Sequence, residues 1–350
     1  MKSVLLTGAA GFIGSHIADK LLTEGYKVLA IDSLNHYYDP KIKKNNIKHN
    51  LRNKNYTFVK LDIKDFHKLA KLFKKNGFDT VIHIAARAGV RPSLKNPHLY
   101  ESVNIKGTLN LLDLSVKKGI KNFVFASSSS VYGANKKVPF KETDAVDEQV
   151  SPYAVTKRSG ELFCNNYHKL YGLNTTCLRF FTVYGPRGRP DMAPFKFTHR
   201  ISKGIPIDQY GDGTTARDYT YVGDIVQGIY EAVKKPLGFE IINLGNSTPI
   251  KLKEFITTIE KAVGKKAIIN IKPMPLGDVP ITYADISKAK KLLNYNPKTS
   301  LEAGMKKYVK WYNENKKLYN WFFITLKNLL TSGIKSFFIA LKTILSSILP

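Results

Sequence analysis

The segment Thr7-Gly8-Ala9-Ala10-Gly11-Phe12-Ile13-Gly14 constrains this chain more than any other. It follows an apolar run, Ser3-Val4-Leu5-Leu6-Thr7, and leads into Phe12 to Glu24, where Ile13, Ile17 and Leu21 recur every fourth residue and Gly25 supplies the stop. Strand, glycine turn and helix in that order offer free backbone N–H groups and a helix N-terminus to a pyrophosphate. A second apolar run, Lys27 to Asp32, ends on an acid able to accept bonds from the adenosine ribose hydroxyls and to repel a 2′-phosphate, which favours NAD over NADP.

Further short apolar runs alternate with helical patterns: Tyr56 to Leu61, Thr80 to Ile84, Asn122 to Ser127 and Asn174 to Phe180. Continuous rather than alternating hydrophobicity predicts strands covered on both faces, hence a parallel sheet. The series reads as a doubly wound α/β sheet of Rossmann type, with ligands outside the carboxyl ends of the strands. The next long helix is expected from Pro152 to a stop at Gly172. After Tyr184 the pattern turns irregular, with one further strand, Phe239 to Leu244, returning to the main sheet. The expected division is residues 1–183 with 223–247 as the NAD-binding domain and residues 184–222 with 248–312 as a smaller C-terminal substrate lobe. The last helix of that lobe would open on a capping box, Thr299-x-x-Glu302.

Residues 313–350 have a different character. Over 318–349, Thr325, Asn328, Ser332, Lys335, Lys342 and Ser346 draw a narrow polar stripe through Leu, Ile and Phe, the pattern of an amphipathic helix lying on an anionic membrane surface. No uncharged stretch there approaches the ~20 apolar residues of a spanning helix. Docking on protein is the alternative.

The chain carries 46 Lys but only 9 Arg, and eight of the Arg fall between Arg87 and Arg217. Scattered Lys reads as a solvated surface and clustered Arg as specific anion contacts, so the formal +28 does not imply nucleic-acid binding. The basic segment Lys41 to Lys54 is likewise expected to be a solvated helix face. Cys164 and Cys177 lack ligand or redox spacing and are expected as reduced packing thiols; His83 is expected as a satisfied core residue, and no metal is implied. The first residues show no secretory pattern, so a cytoplasmic location is expected, peripheral on the inner membrane face if the tail binds there.

Tyr153-Ala-Val-Thr-Lys157 puts a phenol and an ammonium four apart on one helix face. A phenol with a pKa near 10 needs about 4 kcal/mol to act as a base at pH 7, which an adjacent ammonium in a dry site can supply. Ser127-Ser128-Ser129-Ser130, at the end of the fifth strand, adds hydroxyls beside that phenol.

Across residues 1–315 the segments TGAAGFIG, HIAARAGVRPS, SSSSVYG, YAVTK, LRFFTVYGPRGRPDMA, RDYTYVGDI and GDVPITYADISKA occur in order, and the chain resembles the extended short-chain dehydrogenase/reductases of the nucleotide-sugar epimerase group. The likeness is closest to UDP-glucuronate 4-epimerases, at FFTVYGPRGRPDMAPFKFT and in the YYDP loop after Asp32. The resemblance implies NAD contacts at Gly8, Gly11, Phe12, Ile13, Gly14, Asp32, Asp62, Ile63 and Lys157, with Ala85 lining the dinucleotide path. It implies a catalytic hydroxyl at Ser128, a base at Tyr153 and its electrostatic partner at Lys157. Ser129, Ser130, Thr182 and Arg189 would hold the sugar and its carboxylate, and Arg217 and Asp278 the UDP moiety.

Related dehydratases and decarboxylases carry an acid just before VYG; here Ser129 and Ser130 stand there, which leaves epimerisation. The implied reaction is NAD-dependent 4-epimerisation of a UDP-sugar, UDP-glucuronate to UDP-galacturonate, serving a surface polysaccharide. It would run through transient oxidation to a 4-keto sugar and hydride return to the opposite face. GTTARDYTYV and Met274-Pro275-Leu276 depart from the glucuronate pattern and keep UDP-glucose and UDP-N-acetylglucosamine open as substrates. A non-catalytic NAD-binding sensor is the third reading, and the intact Ser128, Tyr153 and Lys157 stand against it. The resemblance also implies a homodimer built from two helices per subunit.

Overall fold

The computed structural model describes residues 2–274 and 280–319. Strands β1 (Ser3–Thr7), β2 (Lys27–Asp32), β3 (Tyr56–Lys60), β4 (Thr80–His83), β5 (Asn122–Ser128) and β6 (Thr175–Phe180) fall on the apolar runs, their ends within one residue of expectation. They are followed by β7 (Thr182–Tyr184), β8 (Ile207–Tyr210), β9 (Ala216–Tyr221), β10 (Phe239–Leu244), β11 (Pro249–Lys251), β12 (Ile269–Lys272) and β13 (Ile281–Thr282). Helices α1 (Phe12–Thr23), α2 (Pro40–Ile47) and α3 (Phe66–Lys75) follow the first three strands, and α4 (Val90–Lys95), α5 (Pro97–Tyr100) and α6 (Gly107–Lys118) the fourth. The remainder are α7 (Pro152–Tyr171), α8 (Ala193–Ser202), α9 (Val222–Lys234), α10 (Leu252–Val263), α11 (Ser287–Leu293) and α12 (Leu301–Asn315).

Seven strands form one parallel sheet in the order β3-β2-β1-β4-β5-β6-β10, so the chain reverses its direction of winding between β1 and β4. Successive side chains feed opposite layers, as the strand period of two requires. Val4, Leu6, Ala30, Val124 and Ala126 pack with Ile17 and Leu21 of α1 and Ile225 and Ile229 of α9. Leu5, Leu29, Val81, Phe123 and Phe125 pack on the other face with Leu69 and Phe73 of α3, Leu111 and Leu112 of α6 and Cys164 of α7. Full burial of each such side chain contributes about 1.5–3 kcal/mol. Cys164 and Cys177 are both buried and reduced.

A third cluster, built on Tyr184, Phe195, Tyr219, Phe255, Met305, Tyr308 and Tyr312, forms the core around β9 and α12. Helix α12 starts one residue later than the capping box predicts. Ser300 is its N-cap and accepts from the Ala303 N–H at 3.2 Å, because the Thr299 N–H is taken by the Asp224 carboxylate. Tyr319 closes the described chain with its ring 4.5 Å from that of Phe195. Beyond it, the amphipathic helix expected over 318–349 lies outside the described residues.

Helix α7 runs for 20 residues from its Ser151 cap to Gly172, which takes the left-handed conformation. Its inner face meets β5 and β6 through a buried ion pair that composition does not advertise. Arg179 of β6 donates from Nε and a terminal nitrogen to both oxygens of Glu161, at 2.8 and 2.9 Å, and the Ser127 hydroxyl donates to the same carboxylate at 2.6 Å. Both charged side chains are buried, and although Arg158, itself part-exposed, also reaches Glu161 at 3.2 Å, loss of Arg179 removes the bidentate partner of a fully buried carboxylate. Arg179→Met is therefore expected to lower stability by about 3–5 kcal/mol, read by chemical denaturation; a loss below 1 kcal/mol contradicts this account.

Candidate active site

A cleft of about 520 Å³ opens at the carboxyl ends of the parallel strands, over the switch point between β1 and β4. The glycine turn forms one wall. Gly8 has φ +69, and a Cβ there would meet the Ala85 nitrogen at 2.7 Å; a Cβ on Gly14 would lie 2.1 Å from the Gly8 carbonyl oxygen. Helix α1 starts from Gly11, which offers no side-chain cap, so its first N–H groups remain available to a ligand. Asp32, at the end of β2, accepts from the Ala10 and Leu34 N–H groups at 3.1 and 2.8 Å and so ties the turn to the next strand. Burial raises its pKa, opposed by the charge of Lys43 and by those two bonds. Phe12, Ile13, Asp62, Ile63 and Ala85 line the same cleft.

Ser128, Ser129, Ser130, Tyr153, Lys157, Thr182 and Arg189 also line it. The Ser128 side chain caps a short turn, accepting from the Ser130 N–H at 3.2 Å and lying 3.1 Å from the Ser130 hydroxyl. Lys157 donates to the Ala126 carbonyl at 2.6 Å, and burial lowers its pKa to about 8. The expectation that this ammonium depresses Tyr153 is not met in the protein alone. Burial raises the phenol pKa, opposed by a hydrogen bond with Ser128 and by the charge of Arg189. The Lys157 ammonium is directed to the β5 backbone, and desolvation outweighs the charges near the phenol.

Arg189 is also already engaged. Its guanidinium donates to both Asp191 oxygens, at 3.0 and 2.6 Å, and to the Tyr37 hydroxyl at 3.1 Å. A guanidinium held this deep is retained by a counter-ion, and the ion pair holds its pKa above the ordinary arginine value. Tyr37 in turn donates to the Ala88 carbonyl at 2.7 Å. Lys43 corrects the reading of its segment as a solvated face. It is buried in the cleft wall, donates to the backbone and side-chain oxygens of Asn35 at 2.9 and 3.0 Å, and lies 4.7 Å from the Tyr38 ring centre. Tyr37 and Asp191 lie within the YYDP and GPRGRPDMA motifs, which carry the resemblance without marking either residue as part of the site. The Arg189-x-Asp191 spacing was the available signal for a local ion pair.

Arg217 lies on β9 outside the cleft lining and donates to the carbonyls of Ala216 and Pro280. Asp278 lies outside the described residues. Among the described residues no group of three His, Cys, Asp or Glu side chains could hold a metal ion.

Residues 4–245 match the NAD dependent epimerase/dehydratase family. A UDP-glucuronate 4-epimerase of Thermodesulfobacterium geofontis is 48% identical over 312 residues, covering 89% of this chain and 96% of that protein. The crystal structure of a UDP-glucuronic acid 4-epimerase from Bacillus cereus, in complex with UDP-glucuronic acid and NAD, superposes with a TM-score of 0.84 at 37% identity, covering 89% of this chain and 99% of that one. A UDP-glucose 4-epimerase from Thermotoga maritima, solved with UDP-glucose, superposes with a TM-score of 0.83 at 34% identity, with coverage of 89% and 99%.

On the far side of the glycine turn His83 is buried as a satisfied core residue, 2.8 Å from the Thr7 hydroxyl and 3.0 Å from that of Thr108. Burial, then the Lys157 charge, lowers its pKa from 6.5 to about 3. The unfolded chain thus binds a proton below pH 6.5 that the folded protein refuses until about pH 3. Stability is present in full above pH 6.5 and falls with pH through this window, by up to about 1.4 kcal/mol per unit. His83→Asn is expected to flatten that slope in denaturation measured from pH 7 to 4, whatever its own effect on stability; an unchanged slope contradicts a buried neutral imidazole.

Proposed function

The chain belongs to the NAD dependent epimerase/dehydratase family, and from that premise we propose that it inverts C4 of UDP-glucuronate to give UDP-galacturonate. The observation that carries the reading is the convergence of Ser128, Tyr153 and Lys157 with Ser129, Ser130, Thr182 and Arg189 in one cleft. The relatives named as acting on UDP-glucuronate support it.

The residues present fit NAD. Gly8 and Gly14 let the turn close against Ala85 and against the start of α1, where a Cβ would collide with backbone, the uncapped start of α1 would receive a diphosphate, and the Asp32 carboxylate would receive the ribose. Phe12, Ile13, Asp62, Ile63 and Ala85 would hold the rest of the dinucleotide. When bound, NAD supplies a reversible hydride acceptor for C4 and a positive charge. Tyr153, as the phenolate, would take the proton of the C4 hydroxyl, becoming the neutral phenol, and would return that proton when the hydride is returned. Ser128 hydrogen-bonds that phenol and orients the same oxygen of the sugar. Lys157, one helical turn on and tied to the Ala126 carbonyl, would add its charge beside the dinucleotide, while Ser128 and Arg189 are the groups that favour the phenolate. Ser129, Ser130, Thr182 and Arg189 receive the sugar and its carboxylate, and Asp191 keeps the Arg189 fork in place. Inversion requires the sugar to present its other face while UDP stays anchored, the role proposed for Arg217 and Asp278.

UDP-glucose is the second reading. The observation that favours it is Asp191, which neutralises Arg189 and weakens its pull on a carboxylate. The discriminating experiment incubates the protein, without added NAD, with UDP-glucuronate, UDP-glucose and UDP-N-acetylglucosamine in turn and follows the anomeric protons by NMR. Conversion of UDP-glucuronate is expected, falling about 10²- to 10⁴-fold in Tyr153→Phe with NAD retained; conversion of neutral sugars alone transfers the assignment to them.

Two further parts of the reading concern partners. Val155, Leu162 and Leu170 are exposed on α7, with Leu94 exposed on the neighbouring α4, an apolar surface suited to a second copy of the chain. No helix among the described residues is long and apolar enough to cross a membrane, and the stripe over 318–349 is the pattern of surface attachment instead. Because Tyr319 packs on Phe195, the informative truncation ends after Tyr319. That shorter chain should remain active yet stop floating with anionic vesicles, and equal flotation of both forms would remove the membrane assignment.

A further inference from the structure

Arg87 follows β4 in the loop that carries Ala85 and lines the same cleft. Its backbone is held at both ends. The N–H donates to the Asn104 side-chain oxygen at 2.8 Å, and the carbonyl accepts from the Asn104 amide at 3.0 Å, an amide that also reaches Thr156 of α7 at 2.9 Å. The guanidinium has much less. Its carbon stands 4.2 Å from the centre of the Tyr37 ring, Nη1 lies 3.5 Å from the Asn35 side-chain oxygen, and Nε is buried with no hydrogen-bond partner. Among the described residues no carboxylate pairs with it.

The Asn35 oxygen also receives the Lys43 ammonium and the Tyr37 N–H, both at 3.0 Å. Two cations therefore turn to one neutral oxygen, which satisfies geometry without neutralising charge. Arg87, Arg189 and Asp191 act on the Tyr37 phenol, and Lys43 lies within the fields of Asp32, Arg87 and Arg189. Arg189 takes both oxygens of Asp191, and Lys43 acts on Asp32 through its field. Arg87 is the one left over. It sits on the ring whose hydroxyl accepts from Arg189, and the Tyr153 phenol lies within the fields of both Arg189 and Tyr37. A buried N–H without a partner and a surplus charge at the reacting end of the cleft describe a place for an anionic oxygen brought by the ligand.

We propose that Arg87 is a specificity-determining residue whose guanidinium takes the carboxylate of the substrate sugar alongside Arg189. The proposal rests on the glucuronate reading above and deepens it. With Asp191 cancelling Arg189, the preference for a carboxylate over a hydroxymethyl group comes from Arg87, whose planar fork suits two carboxylate oxygens. A diphosphate presents the same oxygen chemistry, and the experiment separates the two sources.

The full-length protein and its Arg87→Gln and Arg87→Lys variants are assayed on UDP-glucuronate and UDP-glucose, and the NAD each retains is measured after denaturation. Arg87→Gln is expected to raise KM for UDP-glucuronate about tenfold more than KM for UDP-glucose, at undiminished NAD content. Arg87→Lys, which keeps the charge and loses the fork, should fall between. Equal losses on both sugars, or loss of NAD, would assign the cation to a diphosphate and overturn the proposal, as would kinetics unchanged on both. Failure of the unaltered protein to convert UDP-glucuronate is a separate outcome, seen before any variant is compared, and overturns the glucuronate reading itself.

Discussion

The cleft depends on one buried contact, the fork between Arg179 and Glu161. It joins α7 to β6 directly and to β5 through the Ser127 hydroxyl, and so holds the helix carrying Tyr153 and Lys157 against the strand that ends at Ser128. A buried ion pair is a poor source of net stability because desolvation offsets most of its attraction. What it provides here is register. A shift of α7 by a single residue would turn its face by about 100° and carry the phenol out of the cleft. Greasy packing alone tolerates such a shift more readily than a two-pronged bond with one correct geometry.

The parallel sheet supplies the rest of the arrangement. Because every strand of the main sheet points the same way, the loops after β1, β2, β4, β5 and β6 emerge at one edge, and a reversal of winding between β1 and β4 opens a gap there. Into that gap the chain directs N–H groups, hydroxyls and cations. Asp32 has two tasks in it: it holds the glycine turn by two backbone bonds, and it presents a carboxylate where a ribose is expected. The cations are moderated by Asp191, by Asn35 and by the Tyr37 ring, so the cleft is held together before its anionic ligands arrive.

Much of this was legible beforehand. The apolar runs locate the six strands of the expected series and the returning strand Phe239–Leu244, because burial on both faces leaves an unbroken apolar signature. Tyr153 and Lys157 were legible as a pair because spacing on a helix is local geometry. Helix α12 starts one residue after the capping-box position because a distant carboxylate, Asp224, competes for the Thr299 N–H. The charge run suggests a solvated Lys43, because no spacing rule for a loop announces that the Asn35 oxygens and the Tyr38 face fold back to receive it.

The order of residues alone points to the doubly wound sheet, the glycine turn, the acid at the end of β2 and the Ser, Tyr and Lys that line the cleft. Each is written in spacings of a few residues, where backbone geometry translates order into position. The charge balance of the cleft had to await the fold: that Arg179 is the two-pronged partner of Glu161, that Asp191 occupies Arg189, that burial raises rather than lowers the Tyr153 pKa, and that no carboxylate among the described residues pairs with Arg87. Electrostatic strength depends on distance and burial in three dimensions, and neither is fixed until strands far apart in the chain lie side by side.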